Sequence, residues 1–163
     1  RVKTAVPNVT IGYVDAYYEF ANNPEIVDEI DVILANCYPF WETTSIEYAV
    51  DYMKRMYDMA LAYSKGKPVI ISEFGAGAKK GLPGEKTTRW TEEFQEYLYE
   101  ETLKMIDQID QLQGISPWIL ADFRSPRRPL PEIQDGWNRK GLISDDGQKK
   151  KAFFVLQNYY NKN

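Results

Sequence analysis

Histidine is absent from all 163 residues, and with it go Ser-His-Asp and Cys-His nucleophilic catalysis, imidazole-ligated zinc and imidazole acid–base chemistry within this chain. Cysteine occurs once, at Cys37, which excludes an internal disulfide and a thiolate zinc cage. No apolar run approaches the roughly 18 residues of a membrane span. Basic charge is not in excess either: 20 Lys and Arg against 24 Asp and Glu leave a net charge of -4 and a pI near 5.0, so nothing draws the chain toward nucleic acid or an anionic membrane. No oxygen-rich loop has calcium spacing, and neither metal nor organic cofactor is implied. What is present is apolar and aromatic surface, 44% and 14% of residues, ample for a buried core. Acid–base chemistry must come from carboxylates, lysines or tyrosines. The chain opens Arg1-Val2-Lys3 without Met and reads as an internal start.

Apolar, β-branched runs bounded by turn residues occur at Val9 to Val14, Val32 to Ala35, Pro68 to Ser72 and Ile115 to Ala121. Helical patterns lie between and after them. Ile46, Ala49, Val50, Met53, Met56, Tyr57, Ala60 and Leu61 repeat at three and four, with Gly66 as the stop. A second amphipathic helix is predicted from about Thr88 to Gly114, a third from Ala152 to Tyr160, and a short one around Pro24 to Ile30. The order β-α-β-α-β-α-β-α implies an α/β fold with a parallel sheet. A complete (β/α)8 TIM barrel needs about 250 residues. Four βα units in residues 1–163 therefore read as half of such a barrel, with a small open α/β sheet as the alternative. The irregular stretches Gly75 to Thr88 and Ser125 to Gly136 follow strands directly, where a barrel carries its active site.

Four segments could carry chemistry. In Pro-Val-Ile-Ile-Ser-Glu-Phe-Gly-Ala-Gly, Glu73 closes an apolar strand, a place for a catalytic carboxylate rather than a solvated one. The strand Asp31 to Ala35 runs into Asn36, Tyr38, Phe40, Trp41 and Glu42; Phe40 reads as core, Tyr38 as a phenol suited to a carboxylate, Trp41 as a sugar-stacking surface. Trp118 falls inside the last strand, followed by Asp122 and Arg124, which are either functional or an ion pair across the rim. Asn138 and Lys140 offer amide and cationic donors that could grip a carboxylate or hydroxyls, or else form a plain turn. The run Lys149-Lys150-Lys151 reads as solvated surface with no function.

At these segments the chain resembles the catalytic TIM barrel of glycoside hydrolase family 2, in particular its β-glucuronidase-like members. The resemblance rests on Ile-Ser-Glu-Phe-Gly at 71 to 75, Trp-Thr-Glu-Glu-Phe-Gln at 90 to 95, Trp-Ile-Leu-Ala-Asp-Phe-Arg at 118 to 124 and Asn-Arg-Lys-Gly at 138 to 141, then Lys-Lys-Ala-Phe, all in family order. It implies the C-terminal half of the barrel, strands 5–8, and a retaining mechanism with two carboxylates. By resemblance Glu73 is the nucleophile, Tyr38 its hydrogen-bonding tyrosine and Trp118 the tryptophan lining the sugar site, and Asn138 with Lys140 holds a uronic acid carboxylate; Asn36 and Trp41, from their place at the strand end, are taken as further substrate-binding residues. The family's acid/base glutamate sits in an Asn-Glu pair, and this chain has no such dipeptide. That residue is expected in an N-terminal half of the barrel preceding Arg1. Neither Glu19 nor Glu42 matches its position.

Gly12-Tyr-Val-Asp-Ala and Cys-Tyr-Pro-Phe-Trp-Glu also resemble the β-1,3-glucanases and glucanosyltransferases of glycoside hydrolase family 17. The rival from another class is a non-catalytic carbohydrate-binding or assembly half-barrel. Open strand edges favour association, with the missing half or as a homodimer.

Overall fold

The computed structural model describes residues 2–42, 44–126 and 132–162. A short turn of helix, α1 (Val2–Ala5), precedes strand β1 (Gly12–Ala16), and α2 (Glu19–Asn22) and α3 (Pro24–Glu29) lead to β2 (Val32–Asn36). Helix α4 (Ile46–Ala62) connects to β3 (Val69–Phe74) and α5 (Glu92–Ile106) to β4 (Ile115–Pro117). A two-stranded antiparallel ribbon, β5 (Phe123–Arg124) with β6 (Trp137–Asn138), precedes α6 (Lys151–Tyr160). The four main strands lie in chain order, each parallel to its neighbour, as expected of consecutive βα units of a partial barrel.

The two faces of the sheet differ. On one, Ile33, Ala35, Val69, Ile71 and Phe74 are buried against Ala49, Met53, Met56 and Tyr57 of α4 and Phe94, Leu98 and Tyr99 of α5. The helices bury the stripe that their three-and-four spacing defines. On the other face, Val14 is 48% exposed and Leu34 and Ile70 are only half-buried, because no helix of the described residues covers them. No helix among the described residues is long and apolar enough to cross a membrane.

Several expected boundaries move, among them the end of α5, which stops at Ile106 with Asp107 as its C-cap rather than running to Gly114. The first strand starts at Gly12 rather than Val9, since its ladder begins where Gly12 meets Val32, the first residue of β2. Helix α5 starts after Thr91 rather than Thr88, because the Thr91 side chain accepts the Phe94 N–H at 3.1 Å as an N-cap. Trp118 lies just past β4, not inside it: Pro117 has no N–H for the ladder, and the backbone beyond pairs with the 140–143 segment through Ile119 N–H to Lys140 O and Leu142 N–H to Ile119 O. The expected loop from Ser125 to Gly136 lies partly outside the described residues.

The asymmetry of the sheet sets a test. Ile33→Ala should lower stability by about 2–5 kcal/mol, the usual loss for a buried aliphatic truncated to alanine. Leu34→Ala, on the uncovered face, should cost clearly less in the 163-residue chain when the two are compared by urea denaturation.

Candidate active site

Parallel strands send their C-terminal ends to one side, and the segments following β2, β3 and β4 meet there. Glu73 is the penultimate residue of β3 and pairs in register with Asn36, the last of β2. Two hydrogen bonds from the segment after β2 fix it: Cys37 N–H donates to the Glu73 carbonyl at 2.8 Å, and the Tyr38 hydroxyl to its carboxylate Oε2 at 2.8 Å. Burial and the Glu73 charge both push the Tyr38 pKa far above that of an ordinary phenol, so Tyr38 remains a donor at any working pH. Asn36 accepts from the Ser72 hydroxyl at 2.9 Å, which orients its amide beside the carboxylate strand.

Trp41 stacks on Tyr38, with ring centroids 4.7 Å apart and planes 11° from parallel, and remains 63% exposed. The Lys140 ammonium lies 5.6 Å from the Tyr38 ring centre and 5.5 Å from that of Trp41, within cation–π range of both. Asn138 accepts the Lys140 N–H at 3.1 Å, so the two donors expected to act together are joined through the backbone. Trp118 is drawn in by the β3 end, its N–H donating to Phe74 O at 2.9 Å, and a Cβ on Gly75 would stand 2.5 Å from the Trp118 carbonyl. Phe40 is buried against Phe94, as core. Glu42 accepts hydrogen bonds from Tyr17 and Tyr52 at the rim. Among the described residues no cluster of His, Cys, Asp and Glu could hold a metal ion.

Two readings of charge are corrected. Asp122 does not pair with Arg124, whose guanidinium stacks on Trp137 at 4.6 Å across the β5–β6 ribbon; it pairs with Lys150 and Arg139. Lys150 is not solvated: it is 0% exposed, and its ammonium reaches Asp122 at 2.8 Å. Burial raises the Asp122 pKa and lowers that of Lys150, and the attraction between the two opposes both shifts. Arg139 and Gln95 are buried as well; neither is assigned a role from sequence, though both, like Lys150, lie in segments that carry the family resemblance.

A family model described as glycosyl hydrolases family 2, TIM barrel domain, matches residues 10–163. The chain belongs to glycoside hydrolase family 2. It is 30% identical over 150 residues to a β-glucuronidase of Streptococcus agalactiae, covering 85% of this chain and 24% of that protein, so it spans about a quarter of that relative's length. The solved β-D-glucuronidase of Dictyoglomus thermophilum superposes with a TM-score of 0.79 at 25% identity, over 97% of this chain and 27% of that one. A family 17 β-1,3-glucanosyltransferase from Rhizomucor miehei superposes at a TM-score of 0.70 and 24% identity over 93% of this chain and 53% of that one, a likeness of fold alone.

In this family 2 domain the turn carrying Lys140 has no spare room. A Cβ on Gly141 would lie 2.1 Å from the Asp122 backbone nitrogen, whereas one on Gly114 meets nothing closer than Ile70 at 3.9 Å. Gly141→Ala should therefore lower stability by about 1–3 kcal/mol through overpacking, with Gly114→Ala near wild type by scanning calorimetry.

Proposed function

We propose that this chain is the second half of the catalytic barrel of a retaining β-glycosidase acting on uronides, with Glu73 as nucleophile. The observation that carries the reading is the constellation at the strand ends: a carboxylate held by a protonated phenol, with the Lys140 ammonium poised over the same phenol and the exposed Trp41.

The chemistry is a double displacement. Glu73 Oε attacks the anomeric carbon as the bond to the leaving oxygen breaks, and that oxygen takes a proton from a carboxylic acid. Water then attacks the glycosyl–Glu73 ester, giving its proton to the same group, and Glu73 leaves as carboxylate. The acid/base belongs to the preceding half of the barrel in the parent chain, which also covers the apolar sheet face exposed at Val14. Tyr38 orients the nucleophile and steadies its charge between steps. Trp41 and Trp118 present aromatic surface to the sugar, and Asn36 an amide.

Lys140, with Asn138, holds the sugar carboxylate. The β-glucuronidase names of the relatives support this substrate class.

The parent protein, incubated with 2-deoxy-2-fluoro-glucuronyl fluoride, should gain one glycosyl mass on the peptide containing Glu73, and Glu73→Gln should abolish both labelling and turnover. Labelling by the glucosyl reagent instead would move the substrate to neutral glucans; labelling of another carboxylate would remove Glu73 as nucleophile. Tyr38→Phe should leave the fold intact and lower kcat by about 10–100-fold, the worth of about 1.5–3 kcal/mol for a hydrogen bond to a charged group.

A further inference from the structure

Beneath the turn that carries Lys140 lies a set of buried charges with no part in the chemistry above. The Lys150 ammonium donates to Asp122 Oδ1 at 2.8 Å and Oδ2 at 3.0 Å, to the Ala78 carbonyl at 2.7 Å and to the Arg139 carbonyl at 3.1 Å. Asp122, its side chain wholly buried, also accepts the Gly141 N–H at 2.8 Å and lies 3.5 Å from the Arg139 guanidinium. That guanidinium is anchored in turn by Asp145 at 2.5 Å, while Arg139 Nε donates to Gln134 O. From the other side, buried Gln95 donates to the carbonyls of Ala76, Lys140 and Gly141.

These contacts end on two backbone segments. One, Ala76 to Ala78, continues from the strand of Glu73; the other, Arg139 to Gly141, contains Lys140. The two are bonded directly, Ala78 N–H to Arg139 O at 2.8 Å, and Lys150 binds a carbonyl of each. Stability alone does not call for this arrangement. Lys150 occupies the N-cap position of α6, where the helix dipole disfavours a cation, and buried ion pairs are commonly matched in stability by apolar packing. An apolar side chain would give up the two carbonyl bonds by which Lys150 reinforces the direct Ala78–Arg139 pairing of the two segments.

We propose that Lys150 is a positioning residue which, with Asp122, sets the place of Lys140 relative to Glu73 and thereby the preference for an anionic over a neutral sugar. This deepens the uronide reading and rests on it. Lys150 touches no substrate; it acts through the backbone on either side of the site.

The test is made in the full-length parent protein, with 4-nitrophenyl β-D-glucuronide and β-D-glucoside as probes, on wild type, Lys150→Met, Lys140→Met and the double variant. Lys150→Met is expected to lower the glucuronide-to-glucoside ratio of kcat/KM by about 10-fold, chiefly through the glucuronide KM, since small misplacements of a positioned group cost this much or more. The double variant should have a ratio no lower than Lys140→Met alone, because Lys150 acts only through Lys140. Equal losses on both sugars, or additive effects in the double variant, would overturn the proposal while leaving Lys140 as the uronate ligand. An unchanged ratio in Lys140→Met would overturn the uronide reading itself, and this proposal with it. Should Lys150→Met fail to fold, Lys150→Arg decides the matter: it keeps the charge but not the compact four-acceptor geometry, so a lowered ratio supports positioning and a wild-type ratio overturns it.

Discussion

A lysine with no exposed surface, pressed against an aspartate whose side chain is equally buried, joins segments as far apart in sequence as Ala78 and the start of α6. Taking two charges out of water costs several kcal/mol per ion, and their attraction repays this only when the remaining hydrogen-bonding capacity is met. Here it is met by backbone. The Ala78 and Arg139 carbonyls complete Lys150, and the Gly141 N–H helps complete Asp122. The segment after β3, the end of the chain at α6 and the turn between β6 and α6 are thus mutually dependent. Loss of Asp122 would leave the Lys150 ammonium buried without a carboxylate, and loss of Lys150 would leave Asp122 with the longer Arg139 contact alone.

The same logic of shared partners runs through the strand ends. Cys37 and Tyr38, adjacent in sequence, bind the backbone and the side chain of Glu73, so the geometry of the nucleophile proposed here is inherited from the pairing of β2 with β3. Tyr38 carries Trp41 on one side and Lys140 within cation–π range. The carboxylate comes from β3, the phenol and indole from the connection after β2, and the ammonium from the connection after β6.

Much of this could be read from sequence because it follows from one-dimensional pattern. The alternation of apolar runs with three-and-four spacing marks the βα units, and a carboxylate closing an apolar strand marks Glu73. Tyr38 and Trp41 stand out as aromatic residues just after another strand. What could not be read depends on pairings distant in sequence. Three adjacent lysines look solvated until Asp122, 28 residues earlier, is found against the middle one. Asp122 looks paired with its near neighbour Arg124 until that guanidinium is seen on Trp137. The end of β4 depends on which backbone Ile119 and Leu120 meet, and it is the 140–143 segment rather than a continuing ladder. Thr88 and Thr91 both have capping chemistry, and the cap bond to the Phe94 N–H falls to Thr91.

On the proposed reading the division of labour across the barrel follows from charge. The carboxylate that attacks must stay ionised, and this half gives Glu73 a neutral donor, Tyr38, with the Lys140 ammonium within cation–π range of the Tyr38–Trp41 pair. An acid poised to give up a proton needs a different setting, one that favours its neutral form. Separate halves of the barrel provide separate environments, which keeps two carboxylates about 5–5.5 Å apart in different protonation states. The apolar face around Val14 and Leu34 then has two roles, closing the core and holding the second carboxylate at that distance. A rigid face serves both, because the distance between the two groups is set by how closely the halves pack.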